Sequence, residues 1–309
     1  MKETTKALII TVNFRQDECT RRFLNTAAKL DRFAQSHFLI VDNDSNDDSL
    51  SSLRCASAGF ANVELLASPQ NEGYFGAARR ALRCYLEAHS LPDWVVVCNN
   101  DIVFDDPTFL SQLLERDPDK AAVIAPTIIS GITGYDENPS IRQRPSQFRM
   151  WRYRFWMSNY HLMWFKQWLS PFVRQFRYRF RRRTTVSGSS NRRAVYAPSG
   201  AFVIFGRRFF EAGGFLDDGA FLYAEEFRVA EMCRQLRLPV IHDPELEVWH
   251  QGSQSTGRLL TRSGFLHQKR SFRYALSRYN SSYPELGTTL RINTAIPEIN
   301  PSPAGDRIQ

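Results

Sequence analysis

The sequence lacks the features that would identify a membrane-spanning, secreted or zinc-binding protein. Its 309 residues contain no run of about 18 uncharged apolar residues, which argues against a transmembrane helix. No long apolar segment or small-residue cleavage site follows the N-terminal MKETTK, so we expect no signal peptide. The five cysteines are scattered and form no CxxC pair, which argues against a disulfide framework or a zinc cluster. We therefore expect a reduced, cytoplasmic protein whose cysteines are buried.

Acidic residues are missing from residues 138–210, although the chain contains 32 of them. The same segment holds 16 of the 40 Lys and Arg residues, so the net charge of +8 arises there. Four of the six tryptophans lie in residues 151–168, interleaved with arginine. A helix over residues 172–181 would place aromatic side chains on one arc and arginines outside it, which is typical of an interfacial membrane helix.

Two other interpretations of this segment remain open. A helical insertion of this composition can pack its aromatic side chains on its own domain. Arginine and aromatic rings also cooperate in nucleic-acid binding, but the motifs elsewhere indicate different chemistry, so we expect no nucleic-acid partner.

Apolar runs alternate with helical patterns through residues 6–126. This alternation predicts an α/β fold with a mostly parallel, Rossmann-like sheet and helices on both faces. The predicted strands cover residues 6–13, 37–42, 63–67, 94–98, 121–125, 199–205, 239–241 and 245–249. The predicted helices cover residues 19–33, 50–58, 76–89, 107–116, 207–212, 221–234 and 262–279. The tail from residue 297 is expected to be disordered.

Polar side chains recur where the predicted strands end. Asn13, Asp42, Asn71 and the Asn99–Asp101 triplet each follow an apolar run directly or nearly so. Ligands of such sheets bind beyond the carboxyl ends of the strands. The recurrence therefore indicates a binding site at this edge.

Four features could carry chemistry there, and each also has an ordinary structural interpretation. Asp101 could hold a divalent cation, because Mg²⁺ and Mn²⁺ prefer oxygen ligands, or it could cap a turn. Gly73 precedes a predicted helix, whose start could face a diphosphate. Glu225 and Glu226 could raise each other's pKa and supply a base, or favour the start of a helix. His250 could complete a metal site, or simply pack.

Seven motifs in order resemble those of inverting nucleotide-sugar glycosyltransferases of family 2, which have the GT-A fold. The similarity is strongest to bacterial rhamnosyltransferase-like members that build surface polysaccharide. The motifs are VNF at 12–14, IVDNDS at 40–45, NEGYFGAA at 71–78, NNDI at 99–102, SGAFVIFGRRFFEAGGF at 199–215, FLYAEE at 221–226 and VWHQGSQST at 248–256.

The resemblance implies a donor site in the first half of the chain. Asn13 and Asp42 are expected at the nucleotide, with Asp42 near the base or ribose. Asn71 and Gly73 are expected to border the nucleotide and its diphosphate. Arg79 stands near a family asparagine and is expected to pair with phosphate.

The resemblance also implies a metal site. Asn99, Asn100 and Asp101 occupy the place of the family's DxD motif, with only the last position acidic. Asp101 is therefore the expected ligand of Mg²⁺ or Mn²⁺, and His250 matches the histidine that often completes the site. Asn100 is expected to line the nucleotide-sugar site.

The catalytic base is implied to come from the acidic pair, and Glu226 is the favoured member over Glu225. Ser199 and Gly200 match a segment that commonly lines the donor sugar and the acceptor. The chain departs from the family at Arg228, where another acidic residue is usual.

These assignments divide the chain into four expected parts. Residues 1–137 form the nucleotide-sugar-binding half, and residues 138–193 form a basic, membrane-associating helical insertion. Residues 194–260 form the acceptor and catalytic half, and residues 261–309 form a basic helix with a disordered tail.

The implied reaction is transfer of a sugar, with rhamnose suggested by the subgroup, from a dTDP- or UDP-linked donor. The implied acceptor is a lipid-linked oligosaccharide of O-antigen-like lipopolysaccharide synthesis, at the anionic inner face of the bacterial cytoplasmic membrane. Two alternatives remain open. One is an inactive GT-A-like binding module that uses its basic segment to grip nucleic acid or an assembly partner. The other is a nucleotidyltransferase, against which the FLYAEE and WHQGS motifs count.

Overall fold

The computed structural model describes residues 5–45, 47–166, 168, 191–252 and 261–280. Within these residues, nine strands and eight α-helices form an α/β fold, as predicted. The strands are β1 (Ala7–Asn13), β2 (His37–Asp42), β3 (Val63–Ala67), β4 (Trp94–Asn99), β5 (Ile102–Val103), β6 (Val123–Ser130), β7 (Arg193–Val195), β8 (Phe202–Gly206) and β9 (Val240–His250). The helices are α1 (Asp17–Ala27), α2 (Ser49–Ser57), α3 (Tyr74–Ala88), α4 (Phe109–Leu114), α5 (Gln147–Trp156), α6 (Arg207–Glu211), α7 (Glu225–Gln235) and α8 (Arg262–Asn280). A further helical stretch covers residues 160–166.

The strand order places the ends of distant segments at one edge of a single sheet. The order is β3-β2-β1-β4-β8-β6-β9-β5, and β7 pairs with β9. The first four strands are parallel, whereas β8 runs antiparallel between β4 and β6. Because β8 is reversed, the residues that precede it lie beside the carboxyl end of β4. The antiparallel strand is what brings the Ser199–Gly200 loop to the predicted site.

The sheet has a buried layer on each face. In β1, Leu8 and Ile10 join one apolar cluster with α3 and α7, while Ala7 and Ile9 join the other with α1 and α4. A strand covered on both faces is apolar throughout, which explains the continuous runs in the sequence.

Several predicted elements differ from the structure. The helix predicted over residues 19–33 corresponds to α1, which ends at Ala27, and the strand predicted over residues 121–125 corresponds to β6, which extends to Ser130. The helix predicted over residues 221–234 begins at Glu225, because Tyr223 and Ala224 have φ values of 71° and 64°, outside the right-handed helical region. The two strands predicted over residues 239–241 and 245–249 form one strand, β9, which pairs with β6 through a register shift between Pro126 and Thr127.

The first helix of the basic segment has two different faces. Met150 of α5 is buried against Phe227, Ala275 and Tyr279, so this part of the segment packs on its own domain. The anchoring is reinforced by Arg144, which binds both carboxylate oxygens of the fully buried Glu231 at 2.7 and 3.1 Å.

The opposite side of this segment exposes aromatic side chains, which we call the aromatic surface. It consists of Phe148, Trp151, Phe155, Trp164, Phe165 and Trp168. The helix predicted over residues 172–181 and the tail from residue 297 lie outside the described residues.

The cysteines are all free thiols, as predicted, but only Cys98 and Cys233 are buried, and Cys55 is exposed. The expectation of five buried cysteines is therefore wrong. Within the described ranges, no helix combines the length and apolar character needed to cross a bilayer.

Candidate functional site

A buried polar network joins the carboxyl ends of β1, β2 and β4. Asn13 is fully buried and pairs in register with Asp42, to which its amide donates a 2.8 Å hydrogen bond. The Asn13 amide oxygen accepts hydrogen bonds from Thr20 at 2.9 Å and from Asn100 at 3.3 Å. These bonds fix three strand ends relative to each other. They place Asn13, Asp42 and Asn100 together, and their expected role at the nucleotide stays a prediction.

The loop before α3 closes against this network. Asn43 donates to the side-chain oxygen of Asn71 at 3.0 Å and to the carbonyl of Gly73 at 3.2 Å. Gly73 has a φ of 73°, and a Cβ atom there would lie 2.0 Å from the carbonyl oxygen of Phe221. Only glycine permits both this backbone conformation and this approach. The loop before α3 and the loop before α7 are therefore in direct contact.

Asp101 and His250 meet at the other end of the edge. His250 pairs with Ile102 in the β5–β9 ladder, and its Nε2 lies 3.1 Å from Oδ1 of Asp101. Both carboxylate oxygens of Asp101 are buried, and apart from the contact of Oδ1 with His250 neither has a hydrogen-bond donor within the described residues. The side-chain amide of Asn99 lies 3.4 Å from the same Nε2.

Asp101 and His250 fit a divalent cation that takes its remaining ligands from a substrate. Buried carboxylate oxygens without donors are costly unless an ion or proton compensates them. Asp101 and His250 supply one oxygen and one nitrogen donor, and Mg²⁺ and Mn²⁺ commonly take further ligands from phosphate and water. Among the described residues, no group of three or more His, Cys, Asp or Glu side chains is arranged to hold a metal by itself.

A proton on His250 balances the negative charges of Asp101 and Glu137. Burial lowers the pKa of His250, but the hydrogen bonds and charges of Asp101 and Glu137 outweigh it and raise the pKa to about 10. Glu137 lies on the far side of the ring, with Oε2 3.0 Å from Nδ1.

The acidic pair opens helix α7 and faces a glycine. A Cβ atom on Gly200 would lie 3.6 Å from Oε2 of Glu226 and 3.9 Å from Oε2 of Glu225. Burial, followed by the charge of Glu226, raises the pKa of Glu225 to about 7, against the lowering effect of Arg228. Burial also raises the pKa of Glu226. Carboxyl groups with raised pKa values are suited to general acid–base chemistry near neutral pH.

The Asp101–His250 pair and the acidic pair lie beside the same backbone segment, residues 199–201. The N–H of Asn99 donates to the carbonyl of Ala201 at 2.9 Å, one residue beyond the glycine that faces the pair. Burial raises the pKa of Tyr74 well above its usual value, and the charges of Cys98, Glu225 and Asp101 add to the effect. The backbone contact places the end of β4, which precedes Asp101, beside the segment that the acidic pair faces.

Arg79 lies at a different place from the Asp101–His250 pair and the acidic pair. It forms a 2.6 Å ion pair with Asp218. The two line a cavity of about 470 Å³ to which none of the other predicted site residues contributes. A role for Arg79 at phosphate stays a prediction.

Arg228, where the family pattern has an acidic residue, is fully buried in α7. It lies 3.8 Å from Glu225 and 3.5 Å from Asp217. It therefore supplies positive charge beneath the acidic pair.

Sequence patterns missed several polar residues of the site. Ser199 donates its backbone N–H to Asn138 at 2.6 Å, and Asn138 follows Glu137 directly. Neither residue belongs to a repeating pattern, and their partners are distant in the chain. Tyr74 lies within the NEGYFGAA motif, but the family resemblance implies no role for its side chain.

Comparisons with known proteins agree with this architecture. The sequence profile described as "Glycosyl transferase family 2" matches residues 8–187. The structure is similar to that of GalNAc-T7 with UDP, GalNAc and Mn²⁺, with a TM-score of 0.51 and 14% identity over 84% of this chain. The chain spans about half of that protein, 47% of its length.

A second similar structure is the mannosyltransferase PcManGT from Pyrobaculum calidifontis in complex with GDP-Man and Mn²⁺. Its TM-score is 0.47 and its identity 13%, over 93% of this chain and 79% of that one. No curated protein sequence matches the chain.

Proposed function

The chain belongs to glycosyl transferase family 2, and we propose that it transfers a sugar from a nucleoside-diphosphate sugar to an acceptor hydroxyl with inversion. The observation that carries this proposal is that the Asp101–His250 pair and the acidic pair both lie beside the segment 199–201. The end of β4, two residues before Asp101, is hydrogen-bonded to Ala201, Asp101 contacts His250, and the carboxylates of Glu225 and Glu226 face Gly200. We propose that these residues border a common crevice. We propose a dTDP- or UDP-linked donor, with rhamnose as the sugar, as the sequence motifs imply.

Glu226 is the proposed catalytic base. Its Oε2 faces Gly200, which has no side chain to shield the carboxylate, and burial raises its pKa. The carboxylate takes the proton of the acceptor hydroxyl as the hydroxyl oxygen attacks the anomeric carbon. The bond between that carbon and the phosphate oxygen breaks, and the nucleoside diphosphate leaves with the electron pair. Glu225 lies alongside Glu226, whose charge contributes to the raised pKa of Glu225.

Asp101 and His250 are the residues that would hold Mg²⁺ or Mn²⁺. A cation bound there would neutralise negative charge on the diphosphate leaving group. The nucleotide is proposed to lie along Asn13 and Asp42, where the strand ends are already fixed by hydrogen bonds. Holding donor and acceptor in this arrangement would supply much of the remaining acceleration.

Release of nucleoside diphosphate from a panel of nucleotide sugars, with and without Mn²⁺, tests the proposal. We expect turnover with one donor class, loss of at least about a hundredfold in Glu226→Gln, and loss of Mn²⁺ dependence in Asp101→Asn. The exposed Glu211 provides a matched control, since Glu211→Gln removes a carboxylate outside the crevice. Unchanged turnover in both site variants would contradict the assignment, and inactivity with every donor would favour a binding module.

We further propose a lipid-linked saccharide as acceptor in surface-polysaccharide synthesis, and attachment to the cytoplasmic face of the membrane through the aromatic surface. Phe148, Trp151 and Phe155 are 67%, 60% and 49% exposed, and Arg152 and Arg154 between them are also exposed. Aromatic rings partition into the membrane interface, and each basic residue near anionic lipid adds on the order of 1 kcal/mol.

Co-sedimentation with phosphatidylglycerol-containing vesicles tests membrane attachment. The double variant Trp151→Ser/Phe155→Ser should lose most of its binding, whereas Ile132→Ser, an exposed apolar residue outside the aromatic surface, should not. Vesicle binding that is equal in the double variant and the parent would contradict the role of this surface.

A further inference from the structure

His250 is held between two carboxylates, of which only one belongs to the proposed metal site. Its Nε2 lies 3.1 Å from Asp101, and its Nδ1 lies 3.0 Å from Oε2 of Glu137 in a hydrogen bond. The ring is 13% exposed and the Glu137 side chain 29% exposed. Glu137 therefore contacts the ring nitrogen opposite the one that faces Asp101.

The backbone around Glu137 is fixed on two sides, so its carboxylate projects from a defined position. The N–H of Glu137 donates to the carbonyl of Ile128 in β6 at 2.8 Å. The preceding Asp136 accepts the N–H of Ile128 at 3.0 Å, and the following Asn138 accepts the N–H of Ser199 at 2.6 Å. The same three-residue segment thus contacts β6 and the loop that faces the acidic pair.

Imidazole can bind a cation through either nitrogen, so its orientation must be selected. A carboxylate that accepts the Nδ1 hydrogen keeps that proton in place, so a cation that binds displaces the proton on Nε2 and takes the Nε2 lone pair. In the observed arrangement Nε2 is the atom that faces Asp101. The amide of Asn99 lies 3.4 Å from Nε2 and holds no comparable charge.

We propose that Glu137 is a positioning residue that fixes the ring and tautomer of His250 so that Nε2 is presented to a divalent cation beside Asp101. This inference rests on the proposed metal site. It predicts that Glu137 affects cation affinity without contacting the cation or the substrate.

Calorimetric titration of the full chain with MnCl₂ tests the proposal, with and without UDP. Glu137→Ala should weaken Mn²⁺ binding by about 10- to 100-fold, with no more than a small change in melting temperature. Glu137→Gln should restore most of the affinity, because its amide oxygen can accept the same Nδ1 hydrogen. The matched control is Glu64→Ala, which removes the carboxylate 3.4 Å from His37 in a pair outside the site.

The outcomes separate this inference from the metal site itself. If Asp101→Asn abolishes Mn²⁺ binding but Glu137→Ala leaves it within twofold of the parent, the positioning role is wrong and the metal site stands. A Glu137→Gln variant as weak as Glu137→Ala would also overturn the role, in favour of attraction by charge alone. If Asp101→Asn binds Mn²⁺ like the parent, the metal site fails and the inference fails with it.

Discussion

Replacing Glu225 with glutamine should stabilise the protein, and increasingly so as pH rises. Burial and the neighbouring Glu226 raise the pKa of Glu225 from 4.5 to about 7, despite Arg228 nearby. Below pH 4.5 the carboxyl group is protonated in both the folded and the unfolded states, so it imposes no penalty. Between the two pKa values only the unfolded state ionises, so stability falls as pH rises. Above the folded pKa the penalty levels off at about 3 kcal/mol, since one pKa unit corresponds to about 1.4 kcal/mol.

Unfolding of the parent and of Glu225→Gln by denaturant at pH 5 and pH 8 measures this effect. Glutamine cannot ionise, so the stability difference between the two proteins should be about 2 to 3 kcal/mol more favourable to the variant at pH 8 than at pH 5. Any change in packing or hydrogen bonding by the amide is common to both pH values and cancels in this comparison. A difference that is independent of pH would refute the buried, raised-pKa environment assigned to Glu225.

Three further substitutions test individual contacts. Gly73→Ala should lower the melting temperature far more than Gly134→Ala in thermal denaturation: both glycines have positive φ, but only at Gly73 would a Cβ collide with Phe221. An equal loss would show that backbone conformation alone matters. Tyr74→Phe should leave the melting temperature unchanged or raised, because the buried hydroxyl has no hydrogen-bond partner within the described residues, and a large drop would reveal a missed contact. Glu231→Gln should lower the free energy of unfolding, measured with denaturant, by about 3 to 5 kcal/mol. The substitution replaces a buried carboxylate that accepts hydrogen bonds from two arginines and a tyrosine. A change below about 1 kcal/mol would contradict that role.

The inner strands of the first half were predictable because burial on both faces leaves a continuous apolar run. The strand His37–Asp42 is buried almost throughout and has the predicted bounds. The edge strand Val63–Ala67 also has the predicted bounds, although none of its residues is fully buried. The start of α7 was not predictable, because apolar residues continue from Phe221 at helical spacing. The left-handed conformation of Ala224 depends on a tertiary arrangement in which this loop meets the loop before α3.

The candidate site was predictable where its residues end strands or belong to motifs. Asp101 and His250 were singled out in this way, and the structure brings them within 3.1 Å. Glu137 was not predictable, because a lone carboxylate before a basic segment has no local sequence pattern. Its partner, His250, lies 113 residues away in the chain. Arg228 was visible in the sequence as a departure from the family pattern, but its role was not predictable. In the structure it is a buried positive charge near Asp217 and Glu225.

The proposed reaction requires that Asp101, His250 and Glu226 border one crevice that binds an ion-bound diphosphate. Crystals grown with UDP or dTDP and MnCl₂ would show this through the anomalous scattering of manganese. We predict a peak in contact with the Asp101 carboxylate and His250 Nε2, with the diphosphate between the manganese and Glu226. A bound nucleotide whose manganese lies away from Asp101, or whose diphosphate lies away from residues 199–201, would contradict the proposed site.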